Sequence, residues 1–190
     1  GINTGDFGRT TGEKFIDLLR ALNQVEGIER YRISSIEPNL ITDEIIEFCA
    51  ASPKFQHHFH IPLQSGSDHI LGLMRRRYTS SRFADRIEKI RSLMPDAFIG
   101  IDVITGFPGE TEEEFEELVQ FTKDMRFERM GAFAYSEEEG TYAAEHFEDN
   151  IDDDTKQARV SRLMRVQQRI AEEVSASHIG QTMQVIIDRE

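Results

Sequence analysis

Apolar residues recur at helical spacing at Phe15, Leu18, Leu19, Leu22 and Val25, and Gly27 stops the run, which predicts an amphipathic helix. Tyr31 to Ile36 then reads as a short strand ended by Glu37-Pro38-Asn39. A second helix carries Ile41, Ile45, Ile46 and Cys49, with Thr42 as N-cap, and runs out before Ser52-Pro53. His57 to Leu63 is the next strand. After Gln64-Ser65-Gly66-Ser67-Asp68 comes a helical turn with Ile70, Leu71 and Met74, then a longer helix marked by Phe83, Ile87, Ile90 and Met94 and closed by Pro95. Ala97 to Thr105 is the strongest strand in the pattern. Thr111 and Glu114 form a capping box for the helix bearing Phe115, Leu118, Val119 and Thr122, and Arg129 to Tyr135 is another strand. From Asp152 a long helix follows, with Val160, Leu163, Met164, Gln167, Ile170 and Val174 on one stripe. Gly180 ends it, and Thr182 to Asp188 begins a further strand.

Strands separated by helices imply an α/β fold with a parallel sheet, either open or curved toward a barrel. The absence of GxGxxG and Walker A loops counts against an open nucleotide-binding sheet.

Composition then narrows the chemistry. A net charge of −13 disfavours a phosphate backbone as partner unless basic residues cluster, as they do at Arg75-Arg76-Arg77. The single cysteine, Cys49, excludes an internal disulfide framework, a multi-cysteine zinc site and an iron–sulfur cluster held by three or four cysteines of this chain. No apolar stretch approaches the roughly 20 residues of a membrane span, so no membrane partner and a cytoplasmic location are expected. The opening Gly1-Ile2-Asn3 reads like the tail of a strand, so the chain is expected to be excised from something longer.

Strand parity picks out the candidate chemistry. Phe59, Ile61 and Leu63 suit a helix layer, as do Ile99, Ile101 and Val103, which leaves His58, His60 and Gln64 with Gly100, Asp102 and Ile104 on the other face. Arg32, Ser34, His58, His60, Gln64 and Asp102 are thus expected to converge on one cavity. His58 and His60 could also be metal ligands of a barrel hydrolase, with Glu37 or Asp102 completing the site. The segment Gly106-Phe107-Pro108-Gly109-Glu110-Thr111 puts two glycines where backbone can approach a ligand, just before a helix N-terminus.

Five longer segments are more specific: SSIEP from Ser34 to Pro38, HIPLQSGSD from His60 to Asp68, MRRRYT from Met74 to Thr79, TGFPGETEEEFEE from Thr105 to Glu117, and AYSEEEGTYAA from Ala134 to Ala144. Together they resemble the radical S-adenosylmethionine (radical SAM) methylthiotransferases. The resemblance implies an incomplete (βα)6 barrel, here truncated at its N-terminus, over residues 1–176, with residues 177–190 starting a small β-barrel RNA-binding domain. It implies S-adenosylmethionine and 4Fe-4S clusters as cofactors, with the cluster-binding CxxxCxxC loop outside this fragment, no metal ligand within it, and a reductant protein that serves the cluster. Carried over by position, Ser34, Gln64, Ser65, Ser67, Asp102, Ile104, Gly106, Tyr135 and Ser136 would border the S-adenosylmethionine pocket. The implied reaction cleaves S-adenosylmethionine reductively, abstracts hydrogen from an unactivated carbon and adds a methylated sulfur. Up to Thr105 the chain resembles enzymes that modify tRNA adenosine 37, and from Gly106 those that modify an aspartate of a small-subunit ribosomal protein. Replacing Gly106 with valine is expected to weaken S-adenosylmethionine binding while leaving the fold largely intact.

Overall fold

The computed structural model describes residues 3–183. Ten regular elements follow in order: α1 (Phe15–Asn23), α2 (Asp43–Ala51), β1 (His58–His60), α3 (Asp68–Leu73), α4 (Ser80–Leu93), β2 (Phe98–Thr105), α5 (Glu112–Met125), β3 (Arg129–Ala134), α6 (Tyr142–His146) and α7 (Asp153–Ser177). The strands form one parallel sheet in the order β1-β2-β3. The helix starts are set locally. Thr42, Ser67, Thr79, Thr111, Thr141 and Asp152 each accept a hydrogen bond from a backbone N–H of the first turn. At α5 the box is reciprocal: the Glu114 carboxylate also accepts from the Thr111 N–H at 2.9 Å.

One face of the sheet makes the core. Phe59, Ile61, Leu63, Ile99, Ile101, Val103 and Met130 are buried there against helix residues such as Phe83, Ile87, Phe115, Leu118 and Leu163. Each fully buried aliphatic or aromatic side chain of this kind contributes about 1.5–3 kcal/mol.

Three expectations change. Tyr31 to Ile36 is extended but is not a regular strand: it meets the sheet at its two ends, through a Tyr31 bridge to Phe55 and the Ile36 N–H donating to the His60 carbonyl at 3.1 Å. Between those ends the ladder is broken: the His58 N–H, on the side of β1 that faces the segment, goes to the Gln56 carbonyl at 2.7 Å, and Pro62, just past the segment's end, has no N–H to carry the pairing on. The strand predicted over 57–63 is regular only over the three residues of β1; Ile61, Leu63 and Gln64, the last at φ 68°, still donate to β2 carbonyls. The buried stripe of α7 is Lys156, Arg159, Leu163, Gln167 and Ile170: it shares Leu163, Gln167 and Ile170 with the stripe read from sequence but begins on Lys156 and Arg159, and Met164 is exposed. Short α6 is an element the hydrophobic pattern did not signal. The strand expected over 182–188 falls mostly on residues 184–190, outside the described residues.

Candidate functional site

The second face of the sheet is polar, and register builds it. Side by side lie His60, Gly100 and Arg129, then Asp102 with Gly131, then Ile104 with Phe133. The parity expected for Gly100, Asp102 and Ile104 against Ile99, Ile101 and Val103 is the one observed. A cavity of about 340 Å³ opens on this face, lined by Arg32, Ser34, His58, His60 and Asp102 among others.

At its centre His60 Nε2 lies 2.9 Å from an Asp102 carboxylate oxygen. Two glycines make room for that pair. A β-carbon at Gly131 would stand 2.8 Å from Asp102 Oδ1, and one at Gly100 would stand 3.3 Å from the His60 ring. A β-carbon at Gly131 would make the Asp102 carboxylate shift, and one at Gly100 would press on the His60 ring by a few tenths of an ångström. Sequence reasoning missed Gly131, Arg129 and Phe133, although alternation within Arg129 to Tyr135 would have placed them once the register was known.

Of the other residues carried over by resemblance, Ser34 lines the cavity with Asp102, and Ile104 shares its face. Gln64 bridges to Val103 at the strand end. Ser65 and Ser67 are buried in the turn that follows. Ser65 Oγ accepts from the Ser67 N–H, while Ser67 caps α3 and donates to Glu114 at 3.2 Å. Burial works to raise the Glu114 pKa, but hydrogen bonds from the Thr111 N–H, His69 and Ser67 outweigh it and hold the carboxyl below its usual range. Ser65 and Ser67 therefore join the β1–α3 turn to α5 and do not line the cavity.

Gly106, at φ 71°, faces α7: its N–H donates to Glu110 at 2.7 Å, and a β-carbon would run into Lys156. The valine side chain expected to crowd a ligand would instead meet α7. Glu110 is fully buried and receives Arg159 at 2.7 Å. Burial pushes its pKa up, against the Gly106 N–H and the Arg159 guanidinium. Tyr135 packs edge-on to Phe107, and its buried hydroxyl has no partner among the described residues. Ser136 is exposed beside it, 3.4 Å from Glu138.

Cys49 lies in the core on α2, with its thiol pushed up to about 12 by burial. Among the described residues no three His, Cys, Asp or Glu side chains gather as metal ligands. His58 stacks on Phe98 and His60 is engaged by Asp102, so the hydrolase arrangement is not assembled. No helix of the described residues is long and apolar enough to cross a membrane.

Comparisons with known proteins agree with this architecture. The profile of the Radical SAM superfamily matches residues 7–122. The chain is 44% identical over 188 residues to the threonylcarbamoyladenosine tRNA methylthiotransferase MtaB of Bacillus subtilis, covering 98% of this chain and 42% of that protein. It is 43% identical to the tRNA-2-methylthio-N(6)-dimethylallyladenosine synthase of Bifidobacterium adolescentis, covering 98% and 39%. It is 41% identical to the ribosomal protein uS12 methylthiotransferase RimO of Parabacteroides distasonis, covering 92% and 40%. The chain thus spans about two-fifths of the length of these relatives. Among solved structures, the coproporphyrinogen III oxidase HemN of Escherichia coli, a radical SAM enzyme, shares the fold with a TM-score of 0.65 at 16% identity, over 88% of this chain and 37% of that one.

Proposed function

This chain belongs to the radical SAM superfamily, and from that premise we propose that the full-length protein is a methylthiotransferase that modifies adenosine 37 of tRNA. What supports this is the identity to tRNA-modifying relatives along 98% of the chain. Its setting would be the cytoplasm, with a reductant protein supplying electrons. A second reading, an aspartate of a small-subunit ribosomal protein as substrate, is favoured by the 41% identity to RimO and by the net charge of −13, which suits a basic protein.

The family implies a 4Fe-4S cluster and S-adenosylmethionine. The cluster does not fit this chain: the lone thiol is buried in the core, and no cluster of ligands exists among the described residues. Anaerobic reconstitution with iron and sulfide should therefore leave this chain without cluster absorption. A stoichiometric four-iron cluster on it would contradict the assignment of the ligands to another part of the protein.

S-adenosylmethionine does fit. The inner face offers hydrogen-bonding groups at Ser34, His60 and Asp102, and at its rim the buried Tyr135 hydroxyl lacks a partner among the described residues. Ser34, Asp102 and Ile104 would border the cofactor from the sheet, with Gln64, Tyr135 and Ser136 at the strand ends. Ser65, Ser67 and Gly106 would act behind them, by holding the loops. When bound, these cofactors supply the bond cleavage that activates a carbon–hydrogen bond. The chain's own part is to bind, orient and exclude water. Pro108 and the Gly106–Glu110 hydrogen bond preform the loop before α5, and the Phe107–Tyr135 pair walls it from solvent.

The deciding measurement uses the full-length protein loaded with both cofactors and offered tRNA and small-subunit ribosomal protein in parallel. Mass spectrometry should find the methylthio group on adenosine 37. Modification of the ribosomal protein alone would give the substrate to the second reading, and modification of neither would remove both.

A further inference from the structure

We propose that the end of the inner face opposite the strand-end loops is an oxyanion-binding site, in which Arg32 and Arg129, with the His58 imidazole between them, hold a phosphate or carboxylate group. The position follows from the register: Arg129 pairs with Gly100 at the start of β3, His58 opens β1 and Phe98 opens β2. All four side chains line the same cavity.

The charge balance there is the reverse of the molecule's. The chain carries −13 overall, yet the only carboxylate lining this cavity is Asp102, and that one is engaged by His60. On the neighbouring elements Arg91, Arg126 and Arg159 each meet a carboxylate, although other exposed arginines such as Arg82 and Arg165 do not. Among the described residues Arg32 and Arg129 meet none. Both arginines are exposed on the walls of this cavity, and they present planar donors that suit the oxygens of phosphate or carboxylate.

His58 adds an independent observation. Its ring stacks on Phe98 with centroids 5.2 Å apart and planes at 7°, which fixes the imidazole, and its buried Nδ1 has no partner among the described residues. A buried polar nitrogen without a partner is costly, and a ligand oxygen would satisfy it. Burial lowers the His58 pKa most, and the nearby guanidinium groups of Arg32 and Arg129 lower it further, against a hydrogen bond with its own backbone. Phe98 and Phe133, both exposed, add an apolar wall against which the body of a larger ligand can lie.

The test titrates inorganic phosphate, and separately adenosine monophosphate, into the full-length protein and its Arg32→Gln and Arg129→Gln variants by calorimetry at low ionic strength. Saturable binding should appear in the wild type and weaken about tenfold or more in each variant. Equal affinity for the two probes makes the ligand a free anion. Binding of the nucleotide alone makes it a phosphate carried on a larger body. Melting curves without anion separate a binding role from a structural one, since both variants should melt no lower than the wild type. Absence of saturable binding, binding that survives both substitutions, or melting that falls in both variants would each overturn the site.

Discussion

Replacing Arg159 with methionine will lower the unfolding free energy by about 3–5 kcal/mol, among the largest losses available to a single substitution in this chain. Arg159 lies on α7 with its side chain 9% exposed, and its partner carboxylate on Glu110 is fully enclosed. One guanidinium nitrogen sits 2.7 Å from a Glu110 oxygen and 3.2 Å from the Glu110 carbonyl, and the other reaches Glu112 at 3.2 Å. The same Glu110 oxygen accepts the Gly106 N–H, so the pair joins the β2–α5 loop to α7. Taking the arginine away leaves a carboxylate in the core with one backbone donor. Its remaining oxygen already lacks a partner among the described residues.

The pH dependence follows with a definite sign. Burial already raises the folded pKa of Glu110 above its ordinary 4.5, with Arg159 and the Gly106 N–H opposing the rise. An acid whose folded pKa is raised binds its proton more tightly when folded, so stability falls as pH climbs from 4.5 through the folded value. Without Arg159 the folded value rises further. The deficit of Arg159→Met should therefore be greatest at neutral pH and shrink on acidification, as Glu110 becomes neutral. Urea midpoints across that range measure it. A companion variant that also carries Glu110→Gln should recover much of the loss, because no charge is then left unpaired in the core. A deficit below about 1 kcal/mol, or one that grows toward acid, would show the pair to be dispensable.

What the sequence disclosed and what it hid divide along range. The caps at Thr42 and Thr111 depend on residues three positions away, so local reading found them. The two faces of β2 were legible because Ile99, Ile101 and Val103 alternate with Gly100 and Asp102, and a strand of eight residues leaves parity no freedom. The loss of the strand over 31–36 depends on a part of the chain distant in sequence, where the His58 N–H goes to the Gln56 carbonyl and not to the segment. Along α7 the stripe through Leu163, Gln167 and Ile170 was legible, while its first members were missed for a similar reason. Lys156 and Arg159 are inside because Asp149 and Glu110 neutralise them, and Glu110 is 49 residues from its partner. Helical periodicity counts such residues as polar and turns them outward. In the candidate site, Asp102, His60 and Ser34 could be read from strand parity. Arg32 and Gly100 could be read the same way, whereas Gly131, against the Asp102 carboxylate, and Arg129 required the register of β3 on β2.

Gly106→Val should destabilise the chain by about 3 kcal/mol or more, adding the cost of a β-branched residue in a left-handed conformation to that of overpacking. The glycine has φ 71°, a region where valine loses its favourable rotamers against its own carbonyl. Its absent β-carbon is also where Lys156 packs: a carbon built there falls inside the contact radius of Lys156 Cγ and stands 3.2 Å and 3.3 Å from Cβ and Cδ. Lys156 cannot swing away cheaply, since its side chain is 3% exposed and its ammonium is 2.5 Å from Asp149. The two costs can be separated. Lys156→Ala removes the obstructing Cγ and Cδ but not the strained backbone, so in a Gly106→Ala background it should recover the steric part and leave about 1–2 kcal/mol. Thermal or urea unfolding of the four proteins in that cycle reads the coupling directly. Strict additivity would mean that the contact with α7 carries no energy. An unchanged melting temperature in Gly106→Val would return this glycine to the role first expected of it, backbone that yields space to a ligand rather than to a helix.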